Sequence, residues 1–458
     1  MQTNSDPFQR SNIKATQELQ KDPKYASFLV WCKEQGMCLE KINFPTVFGP
    51  QGYLVGIATN QKIQTGEWFF KIPCSTRTDF QTIRESPYIG QILKALDINE
   101  DLTLSLYIMH QLLIGTQSRI YHPLSVFTPA DTPFLWSNEE INLIGDKQTV
   151  NLINKMKDQT LQDAQEIYNK VLEFGILDKF CIGEQSRENF IQQYLLAWQY
   201  SQTRYVQYEF YLKFHTVAHL IESMNHTPGR YSLHQLVDSN GNVLASNKIG
   251  ITNLYCIPGF ESINGQYVAP NLDELNEIIS EVPIEINNEQ IHSMVPPEGS
   301  YFQMVSLYDL EEGEQIPYNY GHVTNRSLLI NYGFIIQNNE SDCFSIILQI
   351  QGRQKHIILH RNNKSDKFLA ACAEVLKDSG LIKYSNDLVC QFGIDLIYQQ
   401  YYLDFEKQLD DVEEISEEQL SSRKNMALEF KQYQKIIYQY HVNEIRKLMT
   451  LNQISQSR

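Results

Sequence analysis

One segment near residue 320 constrains the fold more than any other part of this 458-residue chain. The segment from Gly313 to Phe334 reads GEQIPYNYGHVTNRSLLINYGF and contains a Tyr-Gly pair at Tyr320 and another at Tyr332. Apolar residues between the two pairs recur at helical spacing, and Asn325 precedes them as a candidate N-cap. The pattern predicts a strand, a tight turn, a short helix capped by Asn325 and a second turn.

Upstream, the run Met224-Asn225-His226 offers an amide and an imidazole, which are groups suited to holding a small polar ligand rather than filling a core. Four potential metal ligands around this run would share one face if the stretch were a continuous helix: His215, His219, Glu222 and His226. The zinc-protease pattern requires Glu directly after the first histidine, and Thr216 occupies that position instead. We therefore expect no metal site.

The composition indicates a globular protein with enough apolar residues for two or three packed domains, since 42% of the residues are hydrophobic and 11% are aromatic. No window contains the roughly 20 uninterrupted apolar residues that span a bilayer, and the first residues lack the apolar core of a signal peptide. We therefore expect a soluble cytoplasmic protein with no membrane partner, and the nucleus is left open as a second compartment.

Charge and cysteine usage exclude two further classes. The formal net charge of −16 would repel a phosphate backbone, so we expect no nucleic-acid partner. The eight cysteines include no Cys-x-x-Cys spacing, which indicates a reducing compartment without a disulfide framework and without a cysteine-rich zinc cluster. They are Cys32, Cys38, Cys74, Cys181, Cys256, Cys343, Cys372 and Cys390.

The ordered motifs resemble the carboxyl-terminal half of a SET domain, in the branch that includes the plant Rubisco large-subunit lysine methyltransferase and the actin-histidine methyltransferase. The resemblance rests on Asn225-His226, the Gly-Glu-x-Ile run from Gly313, the two Tyr-Gly turns and the Tyr-Gly-Phe end at Phe334. It implies an α+β fold: a β-rich SET domain of short strands with a helical insert, followed by a mostly α-helical substrate-binding domain.

On this basis we expect residues 1–22 to be a disordered tail and residues 23–336 to be the SET domain. The SET domain would carry a helical insert at about 95–212 and an extra insert at about 227–300, and residues 340–458 would form the helical domain. In the extra insert, the sequence DSNGNV predicts a hairpin turn and PNLDELNEIISEV an acidic helix. An acidic run at residues 410–418 is either a solvated face or a surface that meets a basic substrate.

Periodicity predicts the remaining elements. Phe44 to Pro73 should form short strands and turns, and a helix over Phe28 to Cys32 should end near Gly36. Ser137 or Asn138 should cap a helix that follows Trp136, a predicted core residue. Further helices are expected at Leu102–Ile114, Leu161–Val171 and Phe190–Tyr205, and the last long helix should bury a stripe formed by Met426, Phe430, Tyr433, Ile437 and Tyr440.

The resemblance also implies S-adenosyl-L-methionine as cofactor and assigns roles by position. Tyr320 would be the catalytic residue that lines the methyl-transfer channel and contacts the cofactor. The other implied cofactor contacts are Gly52, Tyr53, Leu54, Arg204, Asn225, His226, Tyr332 and Phe334. Arg204 and Glu222 would also contact the substrate. Two purely structural alternatives remain open: Gly52 as an ordinary hairpin glycine and Arg204 as a solvated charge favoured by the helix dipole.

Two departures from the family pattern bear on function. The first turn reads Gly52-Tyr53-Leu54 where Gly-x-Gly is usual, and Glu222 stands where Asp is usual. The leading hypothesis is a protein-lysine N-methyltransferase acting on a non-histone protein, with a catalytically silent SET-fold binding or assembly subunit as the alternative. Histidine is a third possibility, since its neutral form is already available near pH 7, whereas neutral lysine costs roughly 4 to 5 kcal/mol.

Overall fold

A computed structural model describes residues 10–49, 54–127, 129–204, 206–207, 215–227, 230, 232–248, 296–316, 318–320, 323–350, 352–361, 364–381, 383–399 and 422–456. Within these ranges, none of the helices combines the length and the apolar content that a membrane span needs. Gly52, Tyr53, the predicted acidic helix and the acidic run at residues 410–418 lie outside the described residues.

Helices and short antiparallel strands together make up the described residues, which confirms the α+β class. The helices are α1 (Ile13–Leu19), α2 (Pro23–Glu34), α3 (Phe80–Glu85), α4 (Ile89–Leu96), α5 (Glu100–Ile114), α6 (Tyr121–Val126), α7 (Asn138–Asn142), α8 (Lys147–Glu173), α9 (Arg187–Arg204), α10 (Asn325–Tyr332), α11 (Asp366–Asp378), α12 (Asn386–Ile397) and α13 (Ser422–Gln456). The strands are β1 (Ile42–Phe48), β2 (Leu54–Thr59), β3 (Trp68–Pro73), β4 (Val206–Gln207), β5 (His215–Thr216), β6 (Ser232–Val237), β7 (Val243–Lys248), β8 (Tyr301–Ser306), β9 (Cys343–Ile350) and β10 (Arg353–His360).

The described residues fall into two compact units. The first lies within Met1–Ala130, Thr160–Cys256 and Tyr267–His322, and the second within Asp131–Gln159 and Val323–Arg458. Residues 131–159, which the sequence analysis placed in the helical insert, and residues 323–336 therefore belong to the second unit. The functional division into a SET domain and a substrate-binding domain stays a prediction.

A four-stranded antiparallel sheet of order β3-β8-β6-β7 organises the first unit. Strand β8 is central: Phe302 lies opposite Ile72 of β3 and Leu236 of β6, and all three side chains are buried. Next to this apolar row, His234 of β6 is buried with its ring 5.4 Å from that of Tyr318. The sheet therefore fixes the position of the chain that leads to Tyr320.

The sequence patterns predicted several elements of this unit correctly. Helix α2 begins at Pro23, a residue whose fixed φ suits a first helical position, after the Asp22 cap, and the chain leaves it through Gly36 at φ +79°. Strands β1 and β2 pair antiparallel, and the predicted hairpin turn of Asp238 to Val243 connects β6 and β7.

The predicted disordered tail is wrong for residues 10–22. Asn12 accepts a hydrogen bond from the Ala15 amide and so caps α1, while its own amide donates to the Val47 carbonyl at 2.7 Å. Ser11 donates its amide to the Gly313 carbonyl at 3.1 Å. Polar composition alone suggested a frayed end, but these backbone groups are paired with β1 and with a turn 302 residues downstream, where Arg10 donates to the Glu312 carbonyl.

The second unit contains two apolar clusters. One joins α7, the first half of α8, α10 and the start of α13 around the buried Trp136, as expected for a core residue. Ser137 caps α7, and its side chain and that of Glu140 satisfy the first amides of the helix reciprocally. The other cluster joins the β9–β10 hairpin to α11, α12 and the rest of α13.

Two sequence predictions in this unit need correction. Thr324, not Asn325, caps α10 through its side chain, and Asn325 is the first helical residue and is buried. In α13, Phe430 and Ile437 are buried as predicted, but Met426, Tyr433 and Tyr440 are half-buried. The buried seam is rotated towards residues that a hydropathy pattern does not select, since it includes Gln434 and His441.

Candidate active site

The chain between β5 and β6 carries the candidate site. It forms a 3₁₀ turn at Ile221–Ser223 and then runs beside the Tyr318–Tyr320 segment. His226 pairs with Tyr318 in a parallel bridge, and the Thr227 amide donates to the Tyr318 carbonyl at 2.7 Å. Two distant motifs therefore lie side by side, since Tyr320 follows His226 by 94 residues and Met224 by 96 residues.

His226 and Tyr320 are bound to each other directly. The Tyr320 amide donates to His226 Nδ1 at 3.0 Å, and the two rings lie 5.1 Å apart. Because Nδ1 accepts a hydrogen bond, the neutral imidazole carries its proton on Nε2. The backbone at Tyr320 therefore selects the Nε2–H tautomer of His226.

The Tyr320 hydroxyl is anchored at the same turn. It donates to the Met224 carbonyl at 2.9 Å, and the Tyr318 ring stands edge-on to the Tyr320 ring at 5.5 Å. Burial raises the pKa of Tyr320 to about 12, an effect that the nearby Arg204 cation partly opposes. The phenol is therefore neutral at physiological pH and cannot serve as a general base.

Asn225 connects this turn to β2. Its Nδ2 donates to the Val55 carbonyl at 3.1 Å and to Gln315 Oε1 at 3.3 Å. A side chain at Gly56 would collide with this carboxamide, so a glycine is needed there for the close approach. Of the predicted cofactor contacts Gly52, Tyr53 and Leu54, the structure describes Leu54, which is adjacent to Val55 and half-buried.

Arg204 ends α9 in a half-buried position. Its Nη1 donates to the Glu222 carbonyl at 3.2 Å, and its guanidinium lies 5.7 Å from the centre of the Phe127 ring. The interpretation as a solvated helix-end charge does not describe this residue. Arg204 is instead held against the same turn that carries Asn225 and His226.

Glu222 is enclosed in the core of the first unit, where its side chain has 0% exposure. The Tyr200 hydroxyl donates to its Oε2 at 3.4 Å, and His219 Nδ1 lies 3.2 Å from its Oε1. His219 Nε2 is in turn 3.4 Å from the Thr78 hydroxyl. Burial and the Glu222 carboxylate both raise the pKa of Tyr200. The carboxylate thus faces two internal partners, and its predicted contact with substrate stays a prediction.

The continuous helix that would have aligned four metal ligands does not form. His215 lies in β5, the Glu222 carboxylate meets His219, and His226 turns towards Tyr320. In the part of the chain that the structure describes, no group of three or more His, Cys, Asp or Glu side chains is placed to bind a metal ion.

Tyr332 and Phe334 belong to the second unit. Tyr332 is the last residue of α10, Gly333 continues in the left-handed region at φ +72°, and the Tyr332 and Phe334 rings lie 6.3 Å apart. A side chain at Gly333 would collide with the Asp131 carbonyl, which explains the glycine of this Tyr-Gly-Phe run. Their predicted place beside the cofactor stays a prediction.

The fold defined by these elements is that of a SET domain with a helical carboxyl-terminal region. It is similar to the solved structure of the SET domain of LSMT bound to lysine and AdoHcy, with a TM-score of 0.61 and 14% identity over 93% of this chain and 91% of that chain. Rubisco LSMT bound to AdoMet is similar with a TM-score of 0.59 and 14% identity over 94% of this chain and 93% of that chain.

Rubisco LSMT bound to sinefungin and monomethyllysine gives a TM-score of 0.60 and 14% identity over 93% of this chain and 92% of that chain. No protein-family model and no curated protein sequence matches the chain. At 14% identity these likenesses establish the fold, and the activity has to be argued from the residues.

Three residues of the site were not assigned to it from the sequence: Tyr200, His219 and Phe127. For Tyr200, the spacing offered a partial signal. Tyr200 and Arg204 are four residues apart on α9 and so share a face, which suggests that one partner meets both. Phe127 has no local pattern that distinguishes it from any other buried aromatic residue.

Proposed function

We propose that this protein is an S-adenosylmethionine-dependent protein-lysine N-methyltransferase that acts on a non-histone protein. The observation that carries the proposal is the convergence of Arg204, Asn225, His226 and Tyr320 on the single turn at residues 222–226. The likeness of the fold to LSMT structures bound to AdoMet and to lysine supports it.

The polar groups at the turn suit the methyl donor. The Asn225 Nδ2 donates to groups within the protein, whereas its Oδ1 accepts no hydrogen bond from the described residues. Oδ1 can therefore accept a hydrogen bond from the amine of S-adenosylmethionine. The hydrogen bond from the Tyr320 amide fixes the His226 ring beside the same turn. Gly56 lets β2 approach the carboxamide closely. When bound here, the sulfonium cofactor supplies an electrophilic methyl carbon for in-line displacement.

A lysine acceptor has to lose its proton before it can attack. A lysine side chain beside Tyr320 would be surrounded by the Tyr320 and Tyr318 rings and would lie near the Arg204 cation, whose charge already lowers the pKa of Tyr320. Desolvation and a neighbouring positive charge both lower the pKa of an amine, by up to about 3 to 5 for full burial. The neutral amine is thereby favoured without a general base, which agrees with the neutral Tyr320 phenol.

The protein residues then act by positioning. The Tyr320 hydroxyl is fixed by the Met224 carbonyl, and its amide is fixed by His226, so that ring and backbone are both held at the turn. Holding two reactants in line supplies much of the rate enhancement in reactions of this kind.

The proposal is tested by incubating the purified chain with labelled S-adenosylmethionine and a protein extract. We expect one or a few labelled proteins, with mono- or polymethyl-lysine identified by mass spectrometry. Methyl-histidine at the labelled position would replace lysine by histidine as the acceptor. Failure to bind S-adenosylmethionine in calorimetry at millimolar concentration would instead support a catalytically silent binding or assembly subunit.

A further inference from the structure

Helix α9 binds Glu222 through both the side-chain carboxylate and the backbone carbonyl of that residue. On α9, Tyr200 and Arg204 are one turn apart, and Tyr200 reaches the Glu222 carboxylate at 3.4 Å while Arg204 reaches the Glu222 carbonyl at 3.2 Å. Because residues four apart share a helix face, the two contacts act as a pair. A shift of Glu222 would disturb the partner of Arg204 as well.

The other carboxylate oxygen extends this set of contacts into the core. A carboxylate can only accept, so His219 donates from Nδ1 and its Nε2 accepts from the Thr78 hydroxyl. All four side chains are buried: Thr78, Tyr200, His219 and Glu222. We call these four residues the Glu222 network.

Side chains from other elements of the first unit also face the network. The Trp31 ring lies edge-on to His219 at 5.7 Å, and Cys32 is near enough for the Glu222 charge to help burial raise its pKa. Arg119 approaches Thr78 at 3.5 Å and also donates to the Tyr107 hydroxyl at 3.1 Å. Core side chains therefore surround the carboxylate on every side that the structure describes.

The turn that follows Glu222 provides three contacts of the candidate site. Met224 provides the carbonyl for the Tyr320 hydroxyl, Asn225 binds β2, and His226 binds the Tyr320 amide. A displacement of residue 222 is transmitted over two to four peptide units to each of these contacts. Displacements near 1 Å at a reacting centre can cost roughly 10²-fold in rate.

From this geometry we infer that the Glu222 network is a positioning device for methyl transfer, and that Glu222 acts by its length and hydrogen bonds rather than as a charged contact to the substrate. The inference rests on the proposed methyl transfer. The network also explains why Glu occupies this position, because a carboxylate one methylene shorter would not reach Tyr200 and His219 from the same backbone.

The test compares two substitutions that change length and charge separately. Glu222→Asp keeps the charge and shortens the side chain, whereas Glu222→Gln keeps the length and removes the charge. In Glu222→Gln the amide oxygen still accepts from Tyr200, and the amide nitrogen donates to His219 Nδ1 once that ring adopts its other tautomer. A positioning role that depends on length predicts a higher rate in Glu222→Gln than in Glu222→Asp. A substrate contact that depends on charge predicts the reverse.

Rates are measured with labelled S-adenosylmethionine at increasing concentrations of the extract fraction that the native protein labels. We expect kcat to fall roughly 10²-fold in Glu222→Asp and to remain within about fivefold of native in Glu222→Gln, with KM for the extract fraction unchanged in both. A higher KM with native kcat, or activity retained by Asp and lost by Gln, would overturn the inference in favour of a substrate contact.

Tyr200→Phe provides a second measurement that keeps the ring and opens no cavity. We expect kcat to fall about tenfold, the equivalent of one lost hydrogen bond. The matched control is Tyr194→Phe, which removes a buried hydroxyl from the same helix away from the turn. Its kcat per folded molecule should equal the native value. Equal kcat values for Tyr200→Phe and Tyr194→Phe would overturn the inference alone, whereas a native protein that transfers no methyl group would overturn the proposed function with it.

Discussion

Two asparagines, each at the centre of a polar cluster, show how differently the two units use the same side chain. In the second unit, the Asn325 side chain is saturated: its Oδ1 accepts from Ile336 and Asn339, and its Nδ2 donates to Ile336 and Asp342. In the first unit, Asn225 is half-buried, and its described hydrogen bonds use Nδ2 alone.

A polar cluster therefore indicates a ligand site only when part of its hydrogen-bonding capacity is left over. Asn325 is 1% exposed and is held by Asp342, which also accepts from the Cys343 amide and from Gln434. That cluster joins α10 to β9 and α13 and serves stability. We propose that the Asn225 cluster serves recognition, and the following predictions test this contrast.

The largest expected effect is on stability in the second unit. Asp342→Ala leaves the Asn325 and Cys343 amides and the Gln434 side chain without their shared acceptor. Buried donors that lose their acceptor cost about 1 to 3 kcal/mol each, so the free energy of unfolding should fall by about 3 to 5 kcal/mol in urea titrations. A loss below about 1 kcal/mol would show that the Asp342 cluster does not stabilise the unit.

Tyr320→Phe should lower the rate of methyl transfer much more than the stability of the protein. Removing one preorganised polar group at a reacting centre costs roughly 10²- to 10³-fold in rate, or about 3 to 4 kcal/mol. Loss of the hydrogen bond to the Met224 carbonyl should lower stability by about 1 kcal/mol. Turnover and melting temperature are measured on one preparation, with Tyr194→Phe as the control. A variant that melts early but turns over normally would refute the catalytic role.

Asp342 also predicts a pH dependence of stability. Burial raises its pKa from the ordinary 3.8 to about 6 although the Asn325 and Cys343 amides oppose the shift. The folded state therefore keeps a proton between about pH 4 and 6 that the unfolded state has released. The stabilisation is fully present below about pH 4 and is lost as the pH rises through about 6, and it amounts to about 3 kcal/mol at most.

This dependence is measured by urea denaturation of the native protein and of Asp342→Asn at pH 4, 5, 6 and 7. Asparagine retains an oxygen that accepts from the two amides but cannot titrate. We expect the stability of the native protein to fall relative to that of the variant across this range. Parallel curves would show that Asp342 titrates at its ordinary pKa in the folded protein.

The smallest expected effect is on cofactor affinity in the first unit. Asn225→Ala removes the carboxamide that connects the turn to β2, and we expect the Kd for S-adenosylmethionine to rise about tenfold, or about 1.4 kcal/mol. The matched control is Asn60→Ala, whose carboxamide donates to the Glu40 carbonyl at 2.9 Å on the exposed surface. Calorimetry should show native affinity for the control. Native affinity in a folded Asn225→Ala protein would contradict the assignment.

The sequence predicted the local elements well wherever one residue had a single physical reason. Ser137 capped its helix, Trp136 entered a core, and Gly36 ended α2. The α+β class was implied by the resemblance to SET domains that the ordered motifs carry. Asn325 shows the limit of local rules: asparagine is favoured at helix caps, but here the neighbouring Thr324 caps α10 while Asn325 pairs with Asp342, 17 residues away.

The site was predictable as far as its motifs and no further. Asn225, His226, Tyr320 and Arg204 were singled out from the sequence, and the structure brings these four to one turn. The Glu222 network was not, because it joins Thr78 to His219 across 141 residues, and no local spacing encodes such a contact. The same holds for the pairing of residues 10–12, whose partners at Val47 and Gly313 are set by the tertiary fold.

That amino-terminal pairing has a consequence for how the protein is made. Ser11 binds the Gly313 carbonyl, and β3 pairs with β8 at Val305, so the first unit draws on both ends of a stretch of about 300 residues. During synthesis, the early residues leave the ribosome long before their partners exist. Because contacts distant in sequence form late and leave apolar surface exposed meanwhile, we expect this half of the chain to be the more prone to aggregate during synthesis.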